Sequence, residues 1–133
     1  MDKLKFYCMH KMFFTGFVLL PTIISCTHHE DLVKGFIPGT YTRQIRGQYS
    51  KGQDLLDISR ANENIFLIIH RSHYERLLNG KWQTPETKSE QWVAIYDEKD
   101  KVLREQQKGK IFSSIPEKNE LLLGTAEYIK QSP

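Results

Sequence analysis

The sequence predicts an all-β domain: an antiparallel up-and-down meander that forms a small barrel, fully closed or half open. Three observations predict it. From Phe36 onward no apolar stripe recurs with a helical period. Apolar and polar residues alternate instead, in short runs. Turn residues punctuate these runs about every ten positions, which makes about eight to ten strands. Composition allows such a domain. The chain has 133 residues, of which 39% are hydrophobic and 26% charged, too apolar and too balanced in charge for disorder. Its 8 Gly and 5 Pro are too few for a low-complexity linker.

The elements follow in order. Pro38-Gly39 is a turn, and Thr40 to Arg46 then alternates, with Tyr41, Ile45 and Tyr49 on one parity. Ser50-Lys51-Gly52-Gln53 reads as the next turn. Asp54 to Arg60 sets Leu56 and Ile58 against Asp57 and Ser59. After the polar Ala61 to Asn64, the run Ile65 to His70 is the most hydrophobic strand and a central one. The chain continues through His73 to Leu78 into Asn79-Gly80, a dipeptide suited to the positive φ angles of a type I′ hairpin. Lys81-Trp82-Gln83 and a loop around Pro85 precede a strand at Gln91 to Tyr96, with Trp92, Ala94 and Tyr96 on one face. Asp97 to Asp100 turns into Lys101 to Glu105. Gly109 to Ile115, Leu121 to Gly124 and Glu127 to Lys130 complete the string, with a turn at Pro116 to Asn119. Short connections make sequence neighbours antiparallel partners. A meander this long curls, and closure removes its exposed edges. A two-sheet sandwich is the runner-up.

The amino-terminal segment has a different character. Lys3, Lys5 and Lys11 precede an uncharged apolar run from Met12 to Ile24. That run is shorter than the roughly 20 residues a spanning helix needs, and Pro21 would break it near its end. Residues 1–25 therefore read as a secretory signal. Ile23-Ile24-Ser25-Cys26 resembles the lipobox of bacterial lipoproteins. The resemblance implies diacylglyceryl transfer to the Cys26 thiol, cleavage before Cys26 and acylation of the new amino terminus, hence palmitate-type chains holding the protein on a bilayer. Several chains anchor stably where one does not. An ordinary cleaved signal and an uncleaved helix are the alternatives. Cleavage leaves residues 26–35 as a lipidated tether and 36–130 as the β domain. It removes Asp2 and the three Lys residues, so the net charge falls from +3 to about +1. Cys8 departs and Cys26 is modified, so no disulfide is available. Thr27, rather than Asp, follows Cys26, which by resemblance to the proteobacterial sorting rule implies the outer membrane. Glu30-Asp31 partly resembles the acidic export tag of Bacteroides-type surface lipoproteins, and a polar tether is the plainer reading. The periplasmic or surface face stays open.

Gly39-Thr40-Tyr41 resembles the Gly-x-Trp/Tyr start of the first strand in lipocalin-like domains, where an aromatic plugs the barrel base. The stretch from about residue 36 to 130 also resembles small Bacteroides-type lipoproteins of unassigned function, some accompanying conjugative transposons. The segments that carry this likeness include Tyr49 to Asp54, Asn79-Gly80-Lys81, Trp92 to Glu98 and Glu127-Tyr128. They are turns and core aromatics, so they imply a fold and no catalytic residues.

The residues supply little chemistry. His70 and His73 fall on opposite faces of a regular strand and cannot chelate together, and His28-His29 lie in the tether, so no metal or other cofactor is expected. There is no Gly-x-Ser-x-Gly, no triad signature and no surviving reactive thiol, so the expectation is a non-enzymatic protein, with an envelope hydrolase as a distant alternative. Basic residues such as Arg43, Arg46 and Arg76 alternate with acidic ones and leave no phosphate-binding footprint, so nucleic acid is not an expected partner. The aromatics either pack a core or line a ligand cup. Trp82 follows a hairpin turn among polar neighbours, where a contact role is more natural than a core one. Trp82, Tyr74, Trp92 and Tyr96 are the candidate contacts. The expected function is a membrane-anchored β-barrel that binds a protein or envelope component. A lipocalin-like carrier or sensor of a small apolar ligand is the alternative. A barrel interior filled by Tyr41, Phe66, Trp92 and Tyr96 would argue against the carrier.

Overall fold

A computed structural model describes residues 31–133. The expected signal peptide of residues 1–25, with the helix expected for it, and Cys26 lie outside the described residues. Eight antiparallel strands close into a barrel: β1 (Gly39–Arg46), β2 (Ser50–Arg60), β3 (Ile65–Leu78), β5 (Glu86–Asp97), β6 (Val102–Glu105), β7 (Ile111–Ile115), β8 (Glu120–Leu123) and β9 (Ala126–Lys130). A two-residue strand, β4 (Lys81–Trp82), folds back on the end of β3. Every barrel strand pairs with its sequence neighbours, and β9 pairs with β1 to close the ring. The fold is thus the closed form of the expected meander, and neither a half-open sheet nor a sandwich. The closing seam is short, with Tyr41 opposite Lys130 and Thr42 opposite Ile129.

Several boundaries differ from the sequence reading for physical reasons. Ser50 to Gln53 is strand rather than turn, and the chain reverses earlier, where the Gly47 N–H donates to the Ser50 carbonyl. Gly52 serves a close approach: a Cβ there would lie 2.1 Å from the His73 carbonyl oxygen and 2.6 Å from the Tyr74 Cα. The segment Ile65–Leu78 is one strand of 14 residues, because β2 and β5 pair along it on both sides beyond His70. β5 likewise begins at Glu86, five residues before the expected strand, with Glu86 opposite Tyr74. The Asn79-Gly80 turn forms as expected, with φ of 51° and 74°.

A short helix, α1 (Leu32–Phe36), was not foreseen. Asp31 caps it, accepting from the Val33 N–H at 3.1 Å, and Ile37 behind it is 1% exposed. The helix covers one end of the barrel. Tyr41 donates its hydroxyl to the Phe36 and Ile37 carbonyls, each 2.9 Å away. The buried Lys34 ammonium reaches Asn64 and lies 3.5 Å from Glu98. Asp31 accepts from Lys101 and from the Tyr96 hydroxyl. This end, which also carries the β2–β3, β5–β6 and β7–β8 connections, is the closed end. At the opposite end Glu105 is buried and its carboxylate accepts the N–H groups of Gln107 and Lys108, both at 2.7 Å, which satisfies the β6–β7 turn.

Candidate functional site

Register sorts the interior into rows of side chains that share a face across β1, β2, β3 and β5. Near the closed end the rows are apolar: Ile58, Ile68 and Trp92, with Phe66 and Ala94 below them. The next row holds Tyr41, Leu56, His70 and Glu90. Above it run Arg43, Asp54, Ser72 and Lys88, and at the mouth Ile45, Gly52, Tyr74 and Glu86. Polarity therefore rises from the closed end to the open one.

The core is filled. Tyr41, Phe66, Trp92 and Tyr96 are at most 3% exposed and pack with Leu103, Phe112, Leu121 and Tyr128 in one cluster. The aromatics that sequence left as either core or cup therefore pack against one another as core. Trp92 and Tyr96, candidate contacts by sequence, are enclosed there and offer no face to a partner. Trp92 is held from several sides: His70 stacks on it at 4.9 Å and 26°, its indole N–H donates to Glu90 at 3.0 Å, and Lys110 lies 5.0 Å over the ring.

Above this core, Asp54 is the hub of a polar cluster. Its carboxylate accepts from Ser72 and from the Tyr128 hydroxyl at 3.3 Å, and lies 3.3 Å from His70 Nε2 and 3.4 Å from Arg43 Nη1. Burial pushes the Asp54 carboxyl up, but the hydrogen bonds from His70, Ser72 and Tyr128 and the charge of His70 together hold it below the usual carboxylate range. Burial, with the nearby Asp54 charge, pushes the Tyr128 hydroxyl up to about 12. Among the described residues no buried side-chain nitrogen or oxygen lacks a partner.

Sequence reasoning missed this cluster. Asp54, His70 and Ser72 carry no motif, and only the pairing of Asp54 with Ser72 and of Leu56 with His70 joins them. The three residue types suggest a relay, but the geometry differs from one. A relay needs the carboxylate on Nδ1 and the serine on Nε2. Here Asp54 and Ser72 both approach Nε2, at 3.3 and 3.2 Å, and the Ser72 hydroxyl already donates to Asp54. The arrangement braces three strands around one carboxylate. His73 points outward to Thr87, with Nδ1 3.0 Å from the hydroxyl oxygen, so the two histidines diverge as their spacing predicts.

Asp54 and Ser72 form the floor of an open cavity of about 340 Å3, walled by Ile45, Ser50, Tyr74, Arg76 and Lys88. Tyr74, another candidate contact, donates its hydroxyl to Glu86 at 3.2 Å, and Arg76 pairs with the same carboxylate. A second groove, of about 390 Å3, follows the seam where β1 and β9 diverge beyond Thr42.

Beyond the mouth, β2, β3 and β4 continue as a flange. Leu77 lies opposite Trp82, and its N–H donates to the Tyr49 carbonyl at 2.8 Å, one step past the Ser50–Arg76 pair. Tyr49, Leu77 and Trp82 thus stand in one row across three segments, with Tyr49 65% and Trp82 43% exposed. Lys51 lies 4.4 Å over the Trp82 ring and 3.1 Å from Glu75. Trp82, the candidate that sequence singled out, is on this outer surface.

No protein-family model matches the chain, and no curated protein or solved structure is significantly similar to it.

Proposed function

We propose that this chain is a lipid-anchored protein of the cell envelope whose β-barrel is a non-enzymatic binding module for a protein or envelope component. The observation that carries the binding role is the division between a filled interior and an exposed aromatic row. Side chains from α1 to Tyr128 fill the closed half of the barrel, which leaves the open mouth and the outer surface for contact, and the exposed aromatic row lies on the outer surface. The anchor rests on the sequence: a basic flank, a short apolar run and Ile23-Ile24-Ser25-Cys26. By resemblance to the proteobacterial sorting rule, Thr27 favours the outer membrane over the inner one. The polar cluster supports a structural rather than a chemical role, because each oxygen of Asp54 is already engaged by neighbours.

Metabolic labelling with a palmitate analogue, followed by fractionation, tests the anchor. The wild-type chain labels and sediments with membranes, and Cys26→Ala does neither. A Cys26→Ala protein that stays labelled and membrane-bound would overturn it. For the binding role, a photo-crosslinking residue at position 82 should give discrete adducts in intact envelopes, whereas one at exposed Lys99, on the closed end, should not. Equal adducts from both positions would count against a defined surface.

A further inference from the structure

We infer that the closed end of the barrel faces the bilayer and that the outer face of the flange, with Tyr49, Leu77 and Trp82 in one row, docks an acidic protein segment that carries apolar side chains. The inference deepens the binding reading above, and its orientation rests on the lipid anchor at Cys26.

The orientation follows from chain lengths. Asp31 is fixed at the closed end by Lys101 and Tyr96. Cys26 lies five positions before it. At roughly 3.5 Å per residue, an acylated Cys26 holds that end within about 18 Å of the headgroups. β3 carries the chain from the closed end at Ile65 to the flange at Leu78. At about 3.3 Å per residue that path is roughly 45 Å along the strand. The flange therefore stands away from the lipid, and its exposed aromatics face water and whatever protein lies there.

The chemistry of the surface selects the occupant. Single exposed apolar residues are ordinary, but here two exposed aromatics flank the half-buried Leu77 across three chain segments. Arg46 lies directly opposite Lys51 on the same outward face, beside the row. Like charges in direct opposition destabilise a sheet, so this pairing has a cost that the isolated fold does not need. Among the described residues, Glu75 pairs with Lys51 and not with Arg46. The face is aromatic and net positive, which complements an acidic segment with apolar anchors. The Lys51 ammonium already lies over Trp82, so the ring is oriented before any partner arrives.

The test uses the full-length lipidated protein in vesicles of neutral lipid. Trp82 is exposed and Trp92 buried, so acrylamide quenching reports Trp82. A synthetic peptide of Glu and Asp interspersed with Leu should shield Trp82, and its Lys-substituted counterpart should not. Arg46→Glu with Lys51→Glu should weaken the acidic peptide roughly tenfold, and Trp82→Phe should remove the quenchable component. Nitroxide-bearing lipids should leave Trp82 emission unchanged. Equal shielding by both peptides, or none by the acidic one, overturns the docking surface. Quenching of Trp82 by nitroxide lipids overturns the orientation and makes the flange a membrane contact. Absence of acyl chains on Cys26 overturns the anchor reading instead, and the peptide measurement then still decides the docking surface.

Discussion

The closed and open ends of the barrel are built from the same strands and hold together differently. At the closed end, helix α1 lies over an apolar plug of Ile37, Tyr41, Ile58 and Phe66, and polar groups appear mainly where they tie the helix down. At the open end the interior is a network centred on Asp54, and the walls run on into an exposed flange. Burial stabilises the first region. Directed hydrogen bonds organise the second, and they add little net stability while being costly to leave half made. The contrast separates an end held mainly by apolar packing from one held by directed polar contacts, and the second is the end that presents Tyr49 and Trp82.

Four substitutions would break or sharpen this contrast. Phe66→Ala empties the centre of the plug and should cost about 4 kcal/mol in chemical denaturation, whereas Tyr74→Ala, half-buried at the mouth, should cost about 1 kcal/mol. Equal losses would end the distinction. Gly52→Ala should cost about 3 kcal/mol, because its Cβ would enter the His73 carbonyl and the β3 backbone cannot yield cheaply. Asp54→Asn should cost about 2 kcal/mol near neutral pH by weakening the partners of Arg43 and His70. The folded Asp54 carboxyl titrates below its unfolded value. Its contribution is therefore present above the unfolded value and lost as pH falls through the folded one, so wild type and variant should converge in acid. Denaturation curves that stay parallel down to low pH would remove Asp54 from that role.

An effect as small as that of Tyr74→Ala is expected at Asp31. The Lys101 ammonium, with the Tyr96 hydroxyl and the Val33 N–H, brings its carboxyl from 3.8 to about 2 against the opposing effect of burial. Asp31→Asn should cost about 1 kcal/mol, given its partial exposure to screening solvent. The difference should fade as pH drops from about 4 to about 2, the window of the folded and unfolded values. The same variant should speed amide exchange in α1 and leave the flange unchanged. Faster exchange at both ends would show that the two regions are coupled.

Much of the barrel was legible because its signals are local. Alternation placed Tyr41, Leu56, Ile58, Trp92 and Tyr96 on inward faces, and Asn79-Gly80 carries its own backbone preference. Gly52 misled because a glycine that permits close strand contact has the same composition signal as one in a turn. Helix α1 is too short for a period to register, and its stability comes from the barrel end beneath it.

By itself, then, the sequence determined the strand string, its antiparallel order, the shared face of the strand aromatics and the exposure of Trp82 beside its turn. Each depends on residues near one another along the chain. Only the tertiary structure decided that the ring closes through Tyr41 and Thr42 against β9, and that Asp54 meets Tyr128, 74 positions away. It alone also decided that Tyr49, Leu77 and Trp82 share a row. Such contacts depend on strand register, and register is settled when a whole face is buried at once, so that one-residue slips are excluded together rather than residue by residue.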